Sequence, residues 1–262
     1  MINNLIIKFG AHPWNPRGKH RLYRILAGSS WMVEGVTPQG IKLRFRPDDT
    51  TCFLFFRPGY QTQLTDLIAA LPPGGVFVDV GANVGNYSLL GARQVGASGL
   101  VVSFEPVAKT YSGFLQNISA NRVPNVVPFN AAAAADEGMA EMVCSEDSGL
   151  SHVGRVEGVA RIPTQRTAML TLNRTLPPLL GGRAIDLMKV DVEGAELGVL
   201  RGASQLLETG RIKRLHIEIA PVCLARFNTT PAELTDFLAA RGYRMRPPAP
   251  GAVADDALFE RD

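Results

Sequence analysis

The chain has 262 residues, of which 46% are hydrophobic and 19% charged, and its formal net charge is +3. This composition excludes collagen and a chain disordered throughout, and indicates one large domain, or one domain with a modest extension. So small a net charge does not call for a polyanionic partner, and no nucleic acid is expected. Three widely spaced cysteines argue against a disulfide framework or structural zinc. They favour a reducing compartment, with the cytoplasm as the expected location.

Residues 1–71 are predicted to form a small β-rich N-terminal extension, with the main domain at 72–262. Short β-branched and aromatic runs at 31–36, 41–45 and 52–56 are separated by turn sequences. Eight basic residues precede position 47, opposed only by Glu34, which indicates either a solvated face or a contact with an anionic substrate or membrane surface. The chain contains no run of about 18 apolar residues, so no membrane span is expected.

From residue 76 onward, short apolar runs alternate with helical patterns, which is typical of a doubly wound α/β fold around a parallel sheet. The predicted strands are 76–80, 100–104, 126–129, 185–192, 215–219, 243–246 and 257–261. The predicted helices are 84–95, 108–121, 196–207 and 231–241, preceded by one at 63–71. Because ligands of such sheets bind outside the carboxyl ends of the strands, candidate site residues are expected there.

The first of these strands runs through a glycine turn into a helix. Its sequence is Phe77-Val78-Asp79-Val80-Gly81-Ala82-Asn83-Val84-Gly85-Asn86. Gly81 and Gly85 would let the backbone approach a ligand closely, and the Asp79 carboxylate can accept hydrogen bonds from it. The dinucleotide pattern G-x-G-x-x-G is missing, which disfavours a nicotinamide cofactor.

Two further strand ends indicate a nucleoside. Glu105 closes the second strand, where a carboxylate is well placed to accept both hydroxyls of a ribose, although it could instead cap the next helix. Small residues and backbone groups between Asn130 and Asp136 would then surround a flat base.

Charged residues alternate with apolar ones at the ends of the fourth and fifth strands. This alternation places Lys189 with Asp191 on one face, and His216 with Glu218 likewise. Adjacent strands lie about 4.8 Å apart, so Asp191 and Glu218 could converge on one hydroxyl, cation or metal. Alternatively, they pair with Lys189 or Arg214 in a structural role.

These segments resemble the FkbM family of S-adenosylmethionine-dependent methyltransferases, over roughly residues 55–221. The first is the glycine turn, and the second is Phe104-Glu105-Pro106 with Asn117 and Asn121. The third is Met188-Lys189-Val190-Asp191-Val192-Glu193-Gly194-Ala195-Glu196, followed by Val199-Leu200-Arg201-Gly202-Ala203. The third segment is the most specific, because acid-x-Gly turns occur in many methyltransferases.

The resemblance implies a Rossmann-like class I methyltransferase sheet of seven strands with the last antiparallel, S-adenosylmethionine as methyl donor, and a hydroxyl acceptor on a sugar or natural product. It places Asp79, Gly81, Asn83 and Gly85 around the methionine part and Glu105 on the ribose. The full cofactor-binding set predicted here is Asp79, Gly81, Asn83, Gly85, Asn86, Glu105, Pro106, Asn130 and Ala131. The extension at 1–71 would cap the acceptor.

A hydroxyl is a poor nucleophile near neutral pH, so a general base or a metal is expected beside it. Asp191 is the first choice as base or metal ligand. Glu193, Glu218 and His152 complete the predicted catalytic set, with His216 as an alternative base. If the reaction uses a metal, the oxygen ligands of Asp191 and Glu218 suit magnesium or another divalent cation.

The expected partner is a small hydroxylated acceptor, and a homo-oligomer is left open. Two other functions also remain open at this point. One is a nucleotide-dependent oxidoreductase, and the other is a module that binds S-adenosylmethionine without catalysis.

Overall fold

The computed structural model describes residues 2–12, 25, 32–47, 49, 51–58, 62–144, 152–153, 164–248 and 255–261. The strands in chain order are β1 Val33–Val36, β2 Lys42–Phe45, β3 Val76–Val80, β4 Leu100–Phe104, β5 Val126–Phe129, β6 Ala131–Ala133, β7 Gly138–Val143, β8 His152–Val153, β9 Thr164–Leu170, β10 Leu187–Val190, β11 Arg214–Glu218, β12 Tyr243–Met245 and β13 Asp256–Arg261. The helices are α1 Ile2–Ala11, α2 Gln63–Ala69, α3 Asn86–Val95, α4 Ala108–Asn121, α5 Leu172–Thr175, α6 Pro177–Leu180, α7 Glu196–Gly202, α8 Ser204–Glu208, α9 Pro221–Ala225 and α10 Pro231–Ala239. None in the described ranges is long and apolar enough to cross a membrane.

The central sheet has seven strands in the order β12-β13-β11-β10-β3-β4-β5. Neighbours from β11 through β5 pair in parallel, whereas β13 runs antiparallel to both β11 and β12. Because β3 lies between β10 and β4, the chain winds outward from it in both directions. This confirms the predicted doubly wound, Rossmann-like class I sheet with its last strand antiparallel.

The strand register places the charged side chains of the sheet on one face. Lys189 lies level with Asp79 on one side and with His216 on the other. Glu218 lies directly opposite Asp256 across the antiparallel pair. Since side chains of paired residues project to the same face, all five titratable groups face the same side of the sheet.

On the same face, apolar side chains near the start of the strands pack against the N-terminal segment. Phe77, Leu187 and Val101 form one buried cluster with Ile7 of α1 and Phe53. The segment and the sheet therefore share a core, and the division at residue 71 stays a prediction. The opposite face packs against α7 and α10 through a second cluster.

The N-terminal segment differs in part from the prediction. Two of the predicted β-rich runs, 31–36 and 41–45, contain β1 and β2, which pair as an antiparallel hairpin. The run 52–56, predicted as a strand, is instead a 3₁₀ helix, Thr51–Phe56. Consecutive apolar residues without alternation do not distinguish the two structures, so the prediction was wrong for lack of a periodic signal. The helix α1 was not predicted.

A second sheet of four strands, in the order β6-β9-β7-β8, also was not predicted. It begins immediately after Asn130, at the end of β5. His152 lies opposite Val143 in β8, the edge strand that β9 and β7 separate from β6. The loop predicted around His152 therefore contains a short strand, and the catalytic role of this histidine stays a prediction.

Candidate active site

The glycine turn after β3 is shaped by contact with the neighbouring strand. Gly81 and Gly85 have φ angles of 82° and 91°, and Asn83 has 52°, all in the left-handed region that favours glycine. A Cβ on Gly81 would overlap the Asp191 carbonyl group, and one on Gly85 would overlap the Phe114 ring. Both glycines are thus required by the packing of the turn, whether or not a ligand approaches it.

Glu105 ties the end of β4 to this turn. One carboxylate oxygen accepts a hydrogen bond from the backbone N–H of Asn83 at 2.9 Å, and the other accepts one from Val107 at 2.9 Å. Val107 is the N-cap of α4, so the helix-cap role considered for Glu105 is present in this structure. Burial raises the pKa of Glu105 to about 7, against the lowering effect of the two backbone hydrogen bonds. Each oxygen still has a lone pair with which to accept a ribose hydroxyl.

Asn130 and Pro106 extend the same corner of the site. The Asn130 amide donates to the carbonyl oxygens of Glu105 at 2.9 Å and Pro106 at 3.1 Å. The Pro106 carbonyl also accepts a hydrogen bond from Gln165 of β9 at 2.7 Å. The structure therefore brings Glu105, Pro106, Asn130 and the buried Ala131 together at the ends of β4 and β5.

Asp79 lies beneath the turn. Its carboxylate is fully buried, accepts a hydrogen bond from the Ser88 hydroxyl at 2.6 Å, and lies 3.4 Å from the Lys189 ammonium. Because the side chain has no exposed surface, the structure gives it a supporting position. Its predicted direct contact with the cofactor stays a prediction.

Lys189 joins the glycine turn to the end of β10. Its Nζ donates to the Gly81 carbonyl at 2.7 Å and also lies 3.4 Å from an Asp191 carboxylate oxygen. Burial lowers the pKa of Lys189, but Asp191 and Asp79 outweigh burial and hold it above that of a free lysine. The pairing of Asp191 with Lys189, one of the alternatives left open by the sequence, is thus present. Of this pair, Asp191 remains accessible, with 42% of its side chain exposed.

Four carboxyl groups, those of Asp191, Glu193, Glu218 and Asp256, influence one another at the ends of β10 and β11; we call them the acidic cluster. Burial, followed by the charges of Asp191 and Glu193, raises the pKa of Glu218 to about 8. Burial and then Asp191 raise the pKa of Asp256 to about 6. The structure therefore brings Asp191, Glu193 and Glu218 near one another and adds Asp256, which the sequence analysis missed, while the catalytic roles of the first three stay predictions.

His216 is buried beside this cluster. Its Nε2 lies 3.7 Å from an Asp256 carboxylate oxygen and has no hydrogen-bond partner in the described part of the chain. Burial, reinforced by Lys189, lowers the pKa of His216 to about 4. The imidazole is therefore neutral near pH 7, and so low a pKa makes it a weaker proton acceptor than Glu218.

Three side chains in the described ranges converge closely enough to be tested as a metal site: Glu193, Glu218 and Cys223, with ligand atoms within 4.8 Å of one another. The Cys223 thiol donates to Glu193 at 3.4 Å, and burial followed by this hydrogen bond raises its pKa to about 11. A protonated thiol is a poor ligand, which leaves two carboxylates. These residues do not fit a complete metal cage, so we derive no step through a divalent cation, and the set Asp191 and Glu218 stays a prediction.

Glu196 belongs to the third segment quoted in the sequence analysis, where it was given no role in the site. Its Oε1 accepts hydrogen bonds from the backbone N–H groups of Val192 at 3.0 Å and Gly194 at 3.1 Å. These bonds fix the turn that carries Glu193, whose φ of 58° is unusual for a non-glycine residue. The sequence signal that could have identified this role of Glu196 is an acidic residue that follows a glycine at the start of a helix.

The raised pKa of Glu218 predicts a pH-dependent gain in stability on substitution. Between pH 4.5 and about 8 the folded state holds a proton that the unfolded state has released, so the free energy of unfolding falls as pH rises through this window. Glu218→Gln should therefore raise the melting temperature at pH 8 by about 2–4 °C, after allowance for solvent screening, and by much less at pH 5. Differential scanning calorimetry at both pH values tests this. Asp236→Asn, on an exposed acid of α10, serves as control, and an equal gain for Glu218→Gln at both pH values would contradict the assignment.

Comparison with known proteins identifies the family to which this sequence belongs. The sequence model of the Methyltransferase FkbM domain matches residues 79–245, from the acid of the glycine turn to the end of β12. Among curated proteins, Methyltransferase 1 of Beauveria bassiana (strain ARSEF 2860) is 26% identical over 152 residues. This match covers 52% of the present chain and 61% of that protein's length.

Two solved structures are similar at low sequence identity. A methyltransferase FkbM from Methylobacillus flagellatus KT has a TM-score of 0.47 and 15% identity, covering 99% of this chain and 59% of that one. A putative rRNA-methylase from Clostridium thermocellum has a TM-score of 0.47 and 10% identity, covering 76% of this chain and 96% of that one. Because the domain match spans more than half of the sequence, the chain belongs to the FkbM methyltransferase domain family.

Proposed function

We propose that the protein transfers a methyl group from S-adenosylmethionine to a hydroxyl group of a sugar or natural-product small molecule. The observation that carries the proposal is the link through Lys189, which contacts both Gly81 of the glycine turn and Asp191 of the acidic cluster. A cofactor bound at the turn would therefore lie next to carboxylates able to take a proton. Family membership supports the same conclusion.

The residues at the turn fit the proposed cofactor. Glu105 would hold the ribose hydroxyls, with Asn130 and Ala131 near the base and the backbone of Gly81 and Asn83 near the methionine part. When bound, S-adenosylmethionine supplies a methyl group already activated on a sulfonium sulfur. The protein's main tasks are then to align the acceptor oxygen with that methyl group and to exclude water.

The acidic cluster would supply the general base. Asp191 is exposed enough to meet an acceptor and would take the hydroxyl proton as the oxygen–methyl bond forms and the sulfur–methyl bond breaks. Glu218, with a pKa of about 8, is protonated near neutral pH, which leaves Asp191 as the carboxylate that would accept the proton. Lys189 keeps Asp191 oriented through their contact at 3.4 Å.

The cofactor assignment predicts that Glu105→Ala weakens binding of S-adenosylhomocysteine at least about tenfold, since the variant loses both the ribose acceptors and the anchor on Asn83. Isothermal titration calorimetry at pH 8, above the Glu105 pKa of about 7, measures this directly. The exposed Glu137→Ala variant should bind like wild type. Unchanged affinity in Glu105→Ala would place the cofactor elsewhere.

A further inference from the structure

A second concave site lies beside α7, and its lining includes Gly194 and Ala195, which directly follow Glu193 of the acidic cluster. It is a cleft of about 240 Å³ between Ala133–Ala135 at and after the end of β6, one side of α7, and Phe227 and Thr229 after α9. Ala133–Ala135 belong to the stretch 130–136 predicted to surround the base, whereas none of the individually predicted cofactor-binding or catalytic residues is among the described lining residues. Val199 and Leu200 of α7 pack into the core on the opposite side of the helix, so the helix separates the cleft from the sheet.

The described lining of this cleft is apolar except at Arg201 and Thr229. Alanines 133–135, Met169, Leu197 and Phe227 contribute hydrocarbon surface, and Arg201 is the one charged residue among the described lining residues. The Arg201 guanidinium is exposed and makes no hydrogen bond or ion pair with any residue in the ranges that the structure describes. The Arg201 guanidinium has hydrogen-bond donors available and lies beside apolar surface. This combination is complementary to an anion that also has a hydrocarbon part.

Two glycines of α7 show where the helix is closely packed and where the space beside it is open. A Cβ added to Gly202 would overlap the Ala134 carbonyl, so the helix is in close contact with the strand end there. A Cβ added to Gly198 would meet no atom within 4 Å. The space beside Gly198 is therefore open in the described structure, and a Cβ atom could occupy it without displacing a neighbour.

We propose that this cleft binds a small organic carboxylate, with its apolar body against Leu197 and Phe227 and its carboxylate on Arg201. The volume is below that of a typical drug-sized pocket, so a short-chain or aromatic acid fits better than a macromolecule. The site does not depend on the proposed methyl transfer. If the wild-type protein does not bind S-adenosylhomocysteine, the proposed function is refuted, but the proposal for this cleft is not affected.

The test uses octanoate as probe and 1-octanol as its uncharged analogue, with binding to the whole protein measured by saturation-transfer NMR and calorimetry. Arg201→Met removes the charge and retains an apolar side chain, whereas Gly198→Leu fills the cleft. Leucine also has a higher helix propensity than glycine, so this variant should fold. Arg174→Met, on an exposed arginine elsewhere, is the matched control.

Octanoate should bind wild type and Arg174→Met alike, and bind Arg201→Met about tenfold more weakly, while the affinity for 1-octanol stays the same. Gly198→Leu should bind neither probe. Saturating S-adenosylhomocysteine should leave octanoate binding unchanged. The proposal is overturned if wild type fails to bind octanoate, or if Arg201→Met binds it as tightly as wild type. It is also overturned if Gly198→Leu retains binding. Displacement of octanoate by S-adenosylhomocysteine would overturn it too, because the cleft would then be part of the cofactor site.

Discussion

Lys189→Met is expected to lower the free energy of unfolding by about 3–5 kcal/mol, the usual effect of removing one partner from a buried ion pair. The Lys189 side chain is 5% exposed and the Asp79 side chain 0%, so neither charge can be solvated in place of its partner. The substitution also removes the donor to the Gly81 carbonyl. Urea denaturation followed by circular dichroism measures the change.

Two comparisons separate this effect from a general loss of packing. Lys213→Met removes an ion pair with Asp186 whose lysine is 61% exposed, and should cost less than about 1 kcal/mol. Combining Lys189→Met with Asp79→Asn should recover part of the lost stability, because the unpaired buried charge is then gone. If Lys189→Met is no more destabilising than Lys213→Met, the buried pair does not have the role assigned to it.

Asp191→Asn should reduce the rate of methyl transfer about 100- to 10,000-fold, the range typical for loss of a general base. The amide keeps the size of the carboxylate but cannot take the hydroxyl proton. The measurement is the rate of S-adenosylhomocysteine formation with a panel of sugars and hydroxylated small molecules. Binding of S-adenosylhomocysteine should be largely retained, which separates a defect in chemistry from a defect in cofactor binding.

The exposed Asp236→Asn variant in α10 is the control for this experiment and should have wild-type activity. A rate for Asp191→Asn equal to that of wild type would remove Asp191 from the catalytic set. If wild type binds S-adenosylhomocysteine yet methylates none of the panel, and Asp191→Asn behaves identically, the alternative of a binding module without catalysis gains support.

Much of the main sheet was predictable because its signals are local. Residues 76–80 and 100–104 are continuous apolar runs bounded by turn residues, and both form strands with these same limits. Residues 185–192 were predicted too long, since only Leu187–Val190 pair as a strand. The final two strands follow the predicted order, with β13 antiparallel.

The second sheet could not be predicted from comparable signals. Its strand β6 consists of three alanines, a residue with no preference for strands, and β8 has only two residues. Such strands form because a longer strand pairs with each of them: β9 pairs with β6, and β7 pairs with β8. Propensity within a short window does not contain this information.

The same holds for the candidate site: features set by the local sequence were predictable, whereas those set by contacts between distant residues were not. Alternation along β10 and β11 correctly placed Lys189 with Asp191 and His216 with Glu218 on one face of the sheet. Asp256 enters the cluster only through its register opposite Glu218, which no local pattern reveals. The burial of Asp79 likewise depends on Ser88 and Lys189, which come from different elements.

The position of β13 has a consequence for how the chain folds during synthesis. It lies between β11 and β12, both of which precede it in the sequence. Until residues 256–261 leave the ribosome, β11 presents an open edge of unpaired backbone groups, the kind of edge that promotes aggregation. The nascent protein therefore depends on rapid capture of this strand, and substitutions that slow its insertion should reduce soluble yield even where they leave the finished fold intact.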